Sequence, residues 1–363
     1  MNSSVNGENI FKMIVVNARF LTQSLTGVQR FAYELSLCLK NMLGEEVEFL
    51  APRNILQKEM AKRLGTKSVG RMSGYAWEQI ELPLYLWKHG SPTLLNLCNL
   101  APLSYRNNWV TIHDITWVRY PETYSRAFCK VYDTLIPRLC QRAKHIITVS
   151  EFSKEEIASY YGIPKKKLLV VYNAVSEEFR QVKDLDLREQ KYFLAVSSLK
   201  ANKNFVTVLK SFEKVFQKHS EVKLFIVGDC SDRNFQTIDI EKYKQNPAIK
   251  FLGRVADEEL ISYYSNAIGF VFPSLYEGFG IPVLEAQACG CPVISSSAAS
   301  MPEVLRDSAL FCEPTDVLGF AGQMCRLVES ESLRLSLIEK GKMNVTRFLW
   351  QESAKKLIAA FEE

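Results

Sequence analysis

The amino-acid sequence predicts an α/β protein made of two Rossmann-like parallel-sheet domains facing across a cleft. Three observations carry this. Short apolar, β-branched runs alternate with segments of helical apolar spacing, the pattern of strands joined by crossover helices. The alternation starts afresh after a charged, unpatterned stretch at 176–190. A chain of 363 residues, 47% hydrophobic, is long enough for two cores.

Residues 12–19 are a β-branched run, followed by a polar loop ending in Gly27 and a helix with Phe31, Leu35 and Leu39 at helical spacing. This unit opens a nucleotide-binding-type domain. One glycine ends the loop where a dinucleotide-binding turn shows Gly-x-Gly-x-x-Gly, which counts against an NAD enzyme. Gly27 and Arg30 suit contact with a phosphate or sugar, and a plain helix start with a surface arginine is the equal alternative. Residues 47–51 read as the second strand. The segment 54–67 sets Leu56, Met60 and Leu64 on one face and Lys58, Lys62, Arg63 and Lys67 elsewhere. It reads as an outer helix, with a membrane-surface role as the sharper option. Residues 75–88 read as a helix interrupted by Pro83, and 94–97 and 109–113 as strands. His113 and Asp114 fall beyond a strand's carboxyl end, where open α/β sheets bind ligands. A helix over 122–142, a strand at 145–150, a helix over 154–161 with N-cap candidates Ser150 and Ser153, and a strand at 168–175 complete this half.

The second half opens with a strand at 192–197, a basic loop carrying Lys200 and Lys203, and a helix over 205–218. Further strands read at 222–228, 249–252 and 269–272, with a helix over 257–267. The stretch 274–291 then turns from strand to glycine loop to a short helix with Pro282 at an early position. Gly290 sits where a left-handed residue would stop that helix, and 291–295 restart as a strand. A helix start of this kind offers free N–H groups and a positive dipole end to phosphate. Glu277 and Glu285 bracket it; locally, a dipole-complementing glutamate beside turn glycines is the even alternative. The Lys203 loop and this stretch lie at the carboxyl edge of one sheet and are expected to converge.

The boundaries expected are an N-terminal domain at 1–176, a linker at 177–190, a C-terminal domain at 191–346 and a final helix at 347–363. Asp184 and Asp186 in the linker read as solvated charges rather than a metal pair. Residues 1–175 carry 22 Lys/Arg against 14 Asp/Glu and 176–363 carry 23 against 26, so the net charge of +5 conceals a basic first half. That suits an anionic partner such as a membrane surface or a lipid-linked phosphate. No zinc finger or arginine-rich tract supports nucleic acid. The nine cysteines lack metal-site spacing and read as free thiols. No run of 18 apolar residues and no signal-peptide pattern is present, so a cytoplasmic protein is expected, peripheral membrane attachment being the sharper version.

With these residues in view, the sequence resembles the retaining glycosyltransferases of family 4, which have the GT-B fold. The resemblance spans nearly the whole chain and is strongest over 273–286, which carries two glutamates separated by seven residues. The segments 111–116, 147–153, 171–175 and 253–260 are also family-like. It implies that Glu285 holds the ribose hydroxyls of a nucleotide donor. Glu277, with the amides of Phe279 and Gly280 in the Gly278 loop, would hold the sugar. Lys203 and the helix starting at Ile281 would neutralise the diphosphate, His113 would reach the sugar from the other domain, and Gly27 would let the first loop approach the donor phosphate. The last helix would cross back onto the N-terminal domain. Ser197 and Ser198 stand where the family often has Gly-Arg, so a phosphate-binding arginine is missing; Asn202 replaces an arginine of some relatives, and Lys200 is the candidate substitute.

The function expected is transfer of a hexose, mannose as a guess, from a nucleotide-diphosphate sugar to a lipid-linked surface polysaccharide, without metal or organic cofactor. A nucleotide-sugar epimerase, a phosphorylase-like enzyme and a non-catalytic nucleotide-sugar binder on the same fold are the alternatives. An epimerase turns over without acceptor, and a binder never releases free nucleotide.

Overall fold

The computed structural model describes residues 13–182, 187, 189–196, 200–228 and 240–362. Two parallel sheets organise them. The first has β1 (Ile14–Asn17), β2 (Val47–Ala51), β3 (Lys67–Ser68), β4 (Thr93–Asn96), β5 (Asn108–Thr111), β6 (His145–Thr148) and β7 (Leu168–Val170), in the order β3-β2-β1-β4-β5-β6-β7. The second has β8 (Tyr192–Val196), β9 (Lys223–Val227), β10 (Ile249–Gly253), β11 (Gly269–Phe272), β12 (Val293–Ser296) and β13 (Leu310–Cys312), in the order β10-β9-β8-β11-β12-β13. Every strand pair is parallel. Each half therefore shows the doubly wound 3-2-1-4-5 order, which reverses direction between β1 and β4 and between β8 and β11. Loops leaving neighbouring strands diverge at such a point and open a crevice. The loop after β8 and the loop after β11 flank the second crevice.

The inner strands are buried on both faces, which explains their continuous apolar runs, while the edge strands β3, β10 and β13 are more open. Val15, Leu50 and Leu94 face one side of the first sheet with Trp77, Leu82 and Leu86, while Ile14, Val16 and Phe49 face the other with Phe31, Leu35 and Leu39.

Several local expectations are corrected. The helix expected over 54–67 is only Lys58–Leu64, burying Ala61 and Leu64, and Leu56 lies outside it and exposed. The helix expected from 122 begins at Arg126, because Ser125 caps it by accepting from the Phe128 N–H at 3.2 Å; this leaves Tyr124 in the preceding loop. Pro83 does not interrupt its segment. A helical run continues from Gly74 to Lys88 through a π turn at Trp77–Glu81, where the Leu82 N–H reaches back to the Trp77 carbonyl just before the proline. Gly290 is left-handed as expected (φ 74°) and ends the helix Ile281–Ala288. Asp184 and Asp186 lie outside the described residues. The described cysteines, Cys289 and Cys291 among them, are free thiols. No helix among the described residues is long and apolar enough to cross a membrane.

The last helix, Trp350–Glu362, lies on the first long helix, Gly27–Leu43. Trp350 meets Phe31 edge-on at 5.9 Å, Phe361 packs on Trp109 at 4.5 Å, and Ser353 Oγ donates to the Tyr172 carbonyl at 2.7 Å. Trp350, Ala354 and Leu357 are buried in that seam. Trp350→Ala is expected to cost about 3–5 kcal/mol through the cavity it leaves. A thermal melt of the variant matching the parent would show that the helix does not depend on this anchor.

Candidate active site

The loop after β11 is the centre of the site. Ser274 Oγ donates to Glu277 Oε1 at 2.6 Å, and Lys203 Nζ pairs with the same oxygen at 2.6 Å. The two phosphate-suited loops thus meet, as their placement around the β8/β11 crevice requires. The 200–204 loop is fastened to its neighbour through backbone groups. Leu275 N–H donates to the Asn202 carbonyl at 2.7 Å, Asn202 Nδ2 donates to the Tyr276 carbonyl at 3.1 Å, and Asn204 Nδ2 donates to the Pro273 carbonyl at 3.1 Å. Asn202 is buried; it holds the loop and supplies no charge. Ser198 lies outside the described residues.

Three carbonyls of the glycine loop are held by serine hydroxyls. Ser300 Oγ donates to the Glu277 carbonyl at 2.9 Å and to the Phe279 carbonyl at 3.2 Å. The Gly278 carbonyl accepts from Ser150 at 2.6 Å and Ser153 at 3.1 Å, both at the start of the helix Glu151–Tyr161 in the other domain. The N–H groups of Phe279 and Gly280 have no acceptor among the described residues. They are preset donors beside the free N-terminus of the Ile281 helix. The glycines are there for space and for φ. A Cβ on Gly278 would sit 2.9 Å from both the His113 carbonyl oxygen and Asp114 Cβ, and Gly280 has φ 90° with Met301 Cε 2.4 Å from its Cβ position. The Phe279 ring is core, packed on Tyr172 and Phe348; only its backbone faces the site.

Across the cleft, His113 is buried, edge-on to Phe31 at 4.9 Å, with Nε2 3.1 Å from the Leu97 carbonyl. A carbonyl only accepts, so Nε2 carries the proton and Nδ1 is left as an acceptor. Burial pulls its pKa down to about 4, against a smaller opposing effect of the Leu97 carbonyl, so the ring is neutral near pH 7. Asp114 Oδ1 accepts from Thr116 N–H at 2.8 Å and Oγ1 at 2.7 Å, which shapes the turn after the strand.

Glu285 is buried in the Ile281 helix. Burial pushes its carboxyl up to about 7; nearby Arg30 opposes this and Asp257 adds to it. Arg30 is engaged across the domains, its Nη2 2.6 Å from Asp257 Oδ2. Gly27 starts its helix without a side-chain cap from Thr26, and its Cβ position would be 3.7 Å from Ile281 Cδ1, an ordinary contact. The N-termini of two helices therefore face each other here. Lys200 Nζ lies 4.6 Å over the ring of Tyr124.

The sequence reasoning missed several residues. Ser300, Asp257 and the bridging role of Ser150 leave no local signature, because each acts across more than twenty positions. Tyr124 is the most telling. Its hydroxyl bonds Thr116, and burial, with the carboxylates of Asp114 and Glu277 nearby, pushes its phenol above the ordinary range. Tyr124 stands eight residues beyond the His-Asp-Ile-Thr turn, within a stretch that reads as helix, so no local signal marked it. Glu303 also crosses the cleft: its Oε1 and Oε2 accept from the N–H groups of Glu151 at 2.9 Å and Phe152 at 3.0 Å.

Two facing doubly wound sheets with a donor-lined glycine loop at their junction make up the GT-B architecture. Residues 175–344 match the family described as Glycosyl transferases group 1, and residues 25–179 match Glycosyltransferase Family 4. The chain belongs to these family-4 glycosyltransferases. It is 28% identical over 265 residues to O-antigen chain mannosyltransferase B of Escherichia coli, covering 69% of each chain. It is 35% identical over 217 residues to the O-antigen chain mannosyltransferase RfbU of Salmonella typhimurium, covering 58% of each. Among solved structures it resembles Anabaena Alr3699/HepE in complex with UDP and glucose, with a TM-score of 0.70, 15% identity, and coverage of 96% of this chain and 98% of that one.

The raised pKa of Glu285 has a sign. The folded value, about 7, lies above the ordinary 4.5, so stability present at pH 4.5 is lost as pH rises through 7. Glu285→Gln removes that loss. Its melting temperature is expected to match the parent near pH 5 and exceed it at pH 8, by about 2–4 °C for each kcal/mol relieved. A gap that stays constant with pH would refute the assignment.

Proposed function

We propose that this glycosyltransferase moves a mannose-type hexose from a nucleotide-diphosphate sugar, with retention at the anomeric carbon, to a lipid-linked surface-polysaccharide acceptor. The observation that carries the proposal is the free N–H pair of Phe279 and Gly280, set beside the Lys203–Glu277 pair and opposite the neutral His113. The mannose reading leans on what the two O-antigen relatives are named for, and the nucleotide reading on the UDP held by the Anabaena protein.

In this reading Glu285 accepts from the ribose hydroxyls and Glu277 from hydroxyls of the sugar. His113 Nδ1 accepts from a further sugar hydroxyl. Lys203 exchanges part of its bond to Glu277 for the diphosphate, whose remaining charge faces the amides of Phe279 and Gly280 and the two helix N-termini. The bond from the anomeric carbon to the diphosphate oxygen breaks, its electron pair leaving with the diphosphate. The acceptor oxygen bonds to the same carbon from the same face and passes its proton to the departing phosphate oxygen. The diphosphate charge is met by lysine and oriented N–H groups, so we propose that transfer needs no metal. The basic N-terminal half is proposed to meet an anionic membrane face, where a lipid-linked acceptor is found.

A thermal-shift screen over UDP-, GDP-, ADP- and dTDP-sugars tests donor use. The matching donor at a hundredfold excess over its Kd is expected to add about 2.7 kcal/mol of stability, and no response to any of them would overturn the function. Ribose hydroxyls donate to the ionised form of Glu285, so donor affinity is expected to tighten as pH rises through about 7 and to lose that dependence in Glu285→Gln.

Lys203→Ala and Glu277→Ala are each expected to lower kcat by about 10²–10³-fold with the fold intact. Transfer from the identified donor to a crude membrane-lipid acceptor is the assay. It is expected to persist in EDTA; full activity in either variant would remove these residues from the mechanism. Product formation without acceptor would favour the epimerase.

A further inference from the structure

The helical run from Gly74 to Lys88 has two faces. Its inner face packs on the first sheet: Trp77, Leu82 and Leu86 are buried, and buried Glu78 accepts from Arg19 Nε at 3.0 Å and Asn17 Nδ2 at 2.8 Å at the carboxyl end of β1. Its outer face is an apolar stripe. Tyr75, Ile80, Leu84 and Trp87 are each 47–48% exposed. Ile80, Leu84 and Trp87 follow α-helical spacing. The π turn at Trp77–Glu81 takes one residue more per turn, which brings Tyr75, five positions before Ile80, round toward the same side.

The charge around this stripe has one sign. From residue 60 to 113 the chain carries only two carboxylates, Glu78 and Glu81. Glu78 is buried, and Glu81 is taken by the N–H groups of Arg71 at 2.9 Å and Met72 at 2.8 Å. Arg71 lies against the middle of the stripe through that bond. Lys88 follows Trp87, and Arg106 follows Tyr105, whose ring is 6.4 Å from that of Trp87. All three cations are exposed and unpaired with a carboxylate among the described residues. A second copy of this face would bring like charges together, whereas an anionic lipid surface offers hydrocarbon for the stripe and phosphate for the cations.

We infer that this face seats the protein on an anionic bilayer, with Ile80, Leu84 and Trp87 entering the headgroup boundary. The inference rests on the lipid-linked acceptor proposed above and deepens it: the element that touches lipid on one side holds Arg19, just past the carboxyl end of β1, on the other. A lipid-borne acceptor then enters the cleft from the surface on which the protein sits.

Of the five tryptophans only Trp87 is exposed, so a blue shift of the emission on vesicle binding reports on this face. The full chain is mixed with vesicles of phosphatidylcholine, alone or with about 30% phosphatidylglycerol. The anionic vesicles are expected to sediment the protein and shift its emission to the blue, both effects fading in about 0.5 M salt. Ile80→Ser with Leu84→Ser is expected to weaken sedimentation about tenfold, with melting temperature and nucleotide-sugar response unchanged. Trp87→Phe is expected to lose the emission shift while still sedimenting. No binding to anionic vesicles, or equal binding to neutral ones, overturns the inference. So does a dimer on ultracentrifugation that the double variant abolishes. Nucleotide-sugar binding is measured separately, so failure here leaves the donor reading standing and the reverse also holds.

Discussion

The site depends on one constraint: three consecutive carbonyls, those of Glu277, Gly278 and Phe279, are tied back by serine hydroxyls. A peptide unit whose carbonyl is fixed on one side points its N–H to the other, so the serines set the direction of the donors at Phe279 and Gly280. Nothing else in the loop fixes this, since it has no ladder or helical turn of its own before Ile281. The donors are oriented before any ligand arrives, and no reorganisation is required of them as charge develops. Gly278 and Gly280 follow from the same constraint, one because the opposing backbone comes too close for a Cβ and the other because its φ is left-handed.

Two of those serines belong to the other domain, so the loop's geometry is coupled to the closure of the cleft. Ser150 accepts from the Ser153 N–H as the helix cap and donates to Gly278. Glu303 caps the same helix from across the cleft, and Arg30 pairs with Asp257 nearby. Asp257 is more than a third exposed, so that ion pair contributes at the weak end of its class. A set of contacts each worth about 1 kcal/mol holds the closed arrangement yet yields to a ligand with a comparable preference. The Trp350 anchor is different in kind, being apolar and buried.

The architecture was legible because parallel strands buried on both faces write themselves as apolar runs, and because the helix at 281 announces its ends with Gly280, Pro282 and Gly290. That the Lys203 loop and the 274–291 stretch share one sheet edge was legible from the strand–helix alternation, although the Lys203–Glu277 pair itself was not. Strands β3 and β13 were not, at two and three residues. Nor was the passage of a helix through Pro83, because the sequence does not show the π turn that absorbs it. The serines, Asn202 and Glu303 escaped for another reason. A hydroxyl, amide or carboxylate bound to a backbone group twenty to a hundred and fifty residues away leaves no spacing to read, and Asn202 looked like a lost charge when it is a staple.

That staple bears on how the proposed site meets a diphosphate without the second cation that the family resemblance leads one to expect. With Asn202 buried and Lys200 over Tyr124, Lys203 is the cation the described loop presents, and it is already paired with Glu277. A flexible second cation would cost side-chain entropy to immobilise. Two helix N-termini, at Gly27 and Ile281, with the amides of Phe279 and Gly280 beside the second, are fixed by the fold and carry no such cost. They also come from opposite domains, so a diphosphate held between them as proposed would favour the closed cleft, the state in which the serines aim the donors.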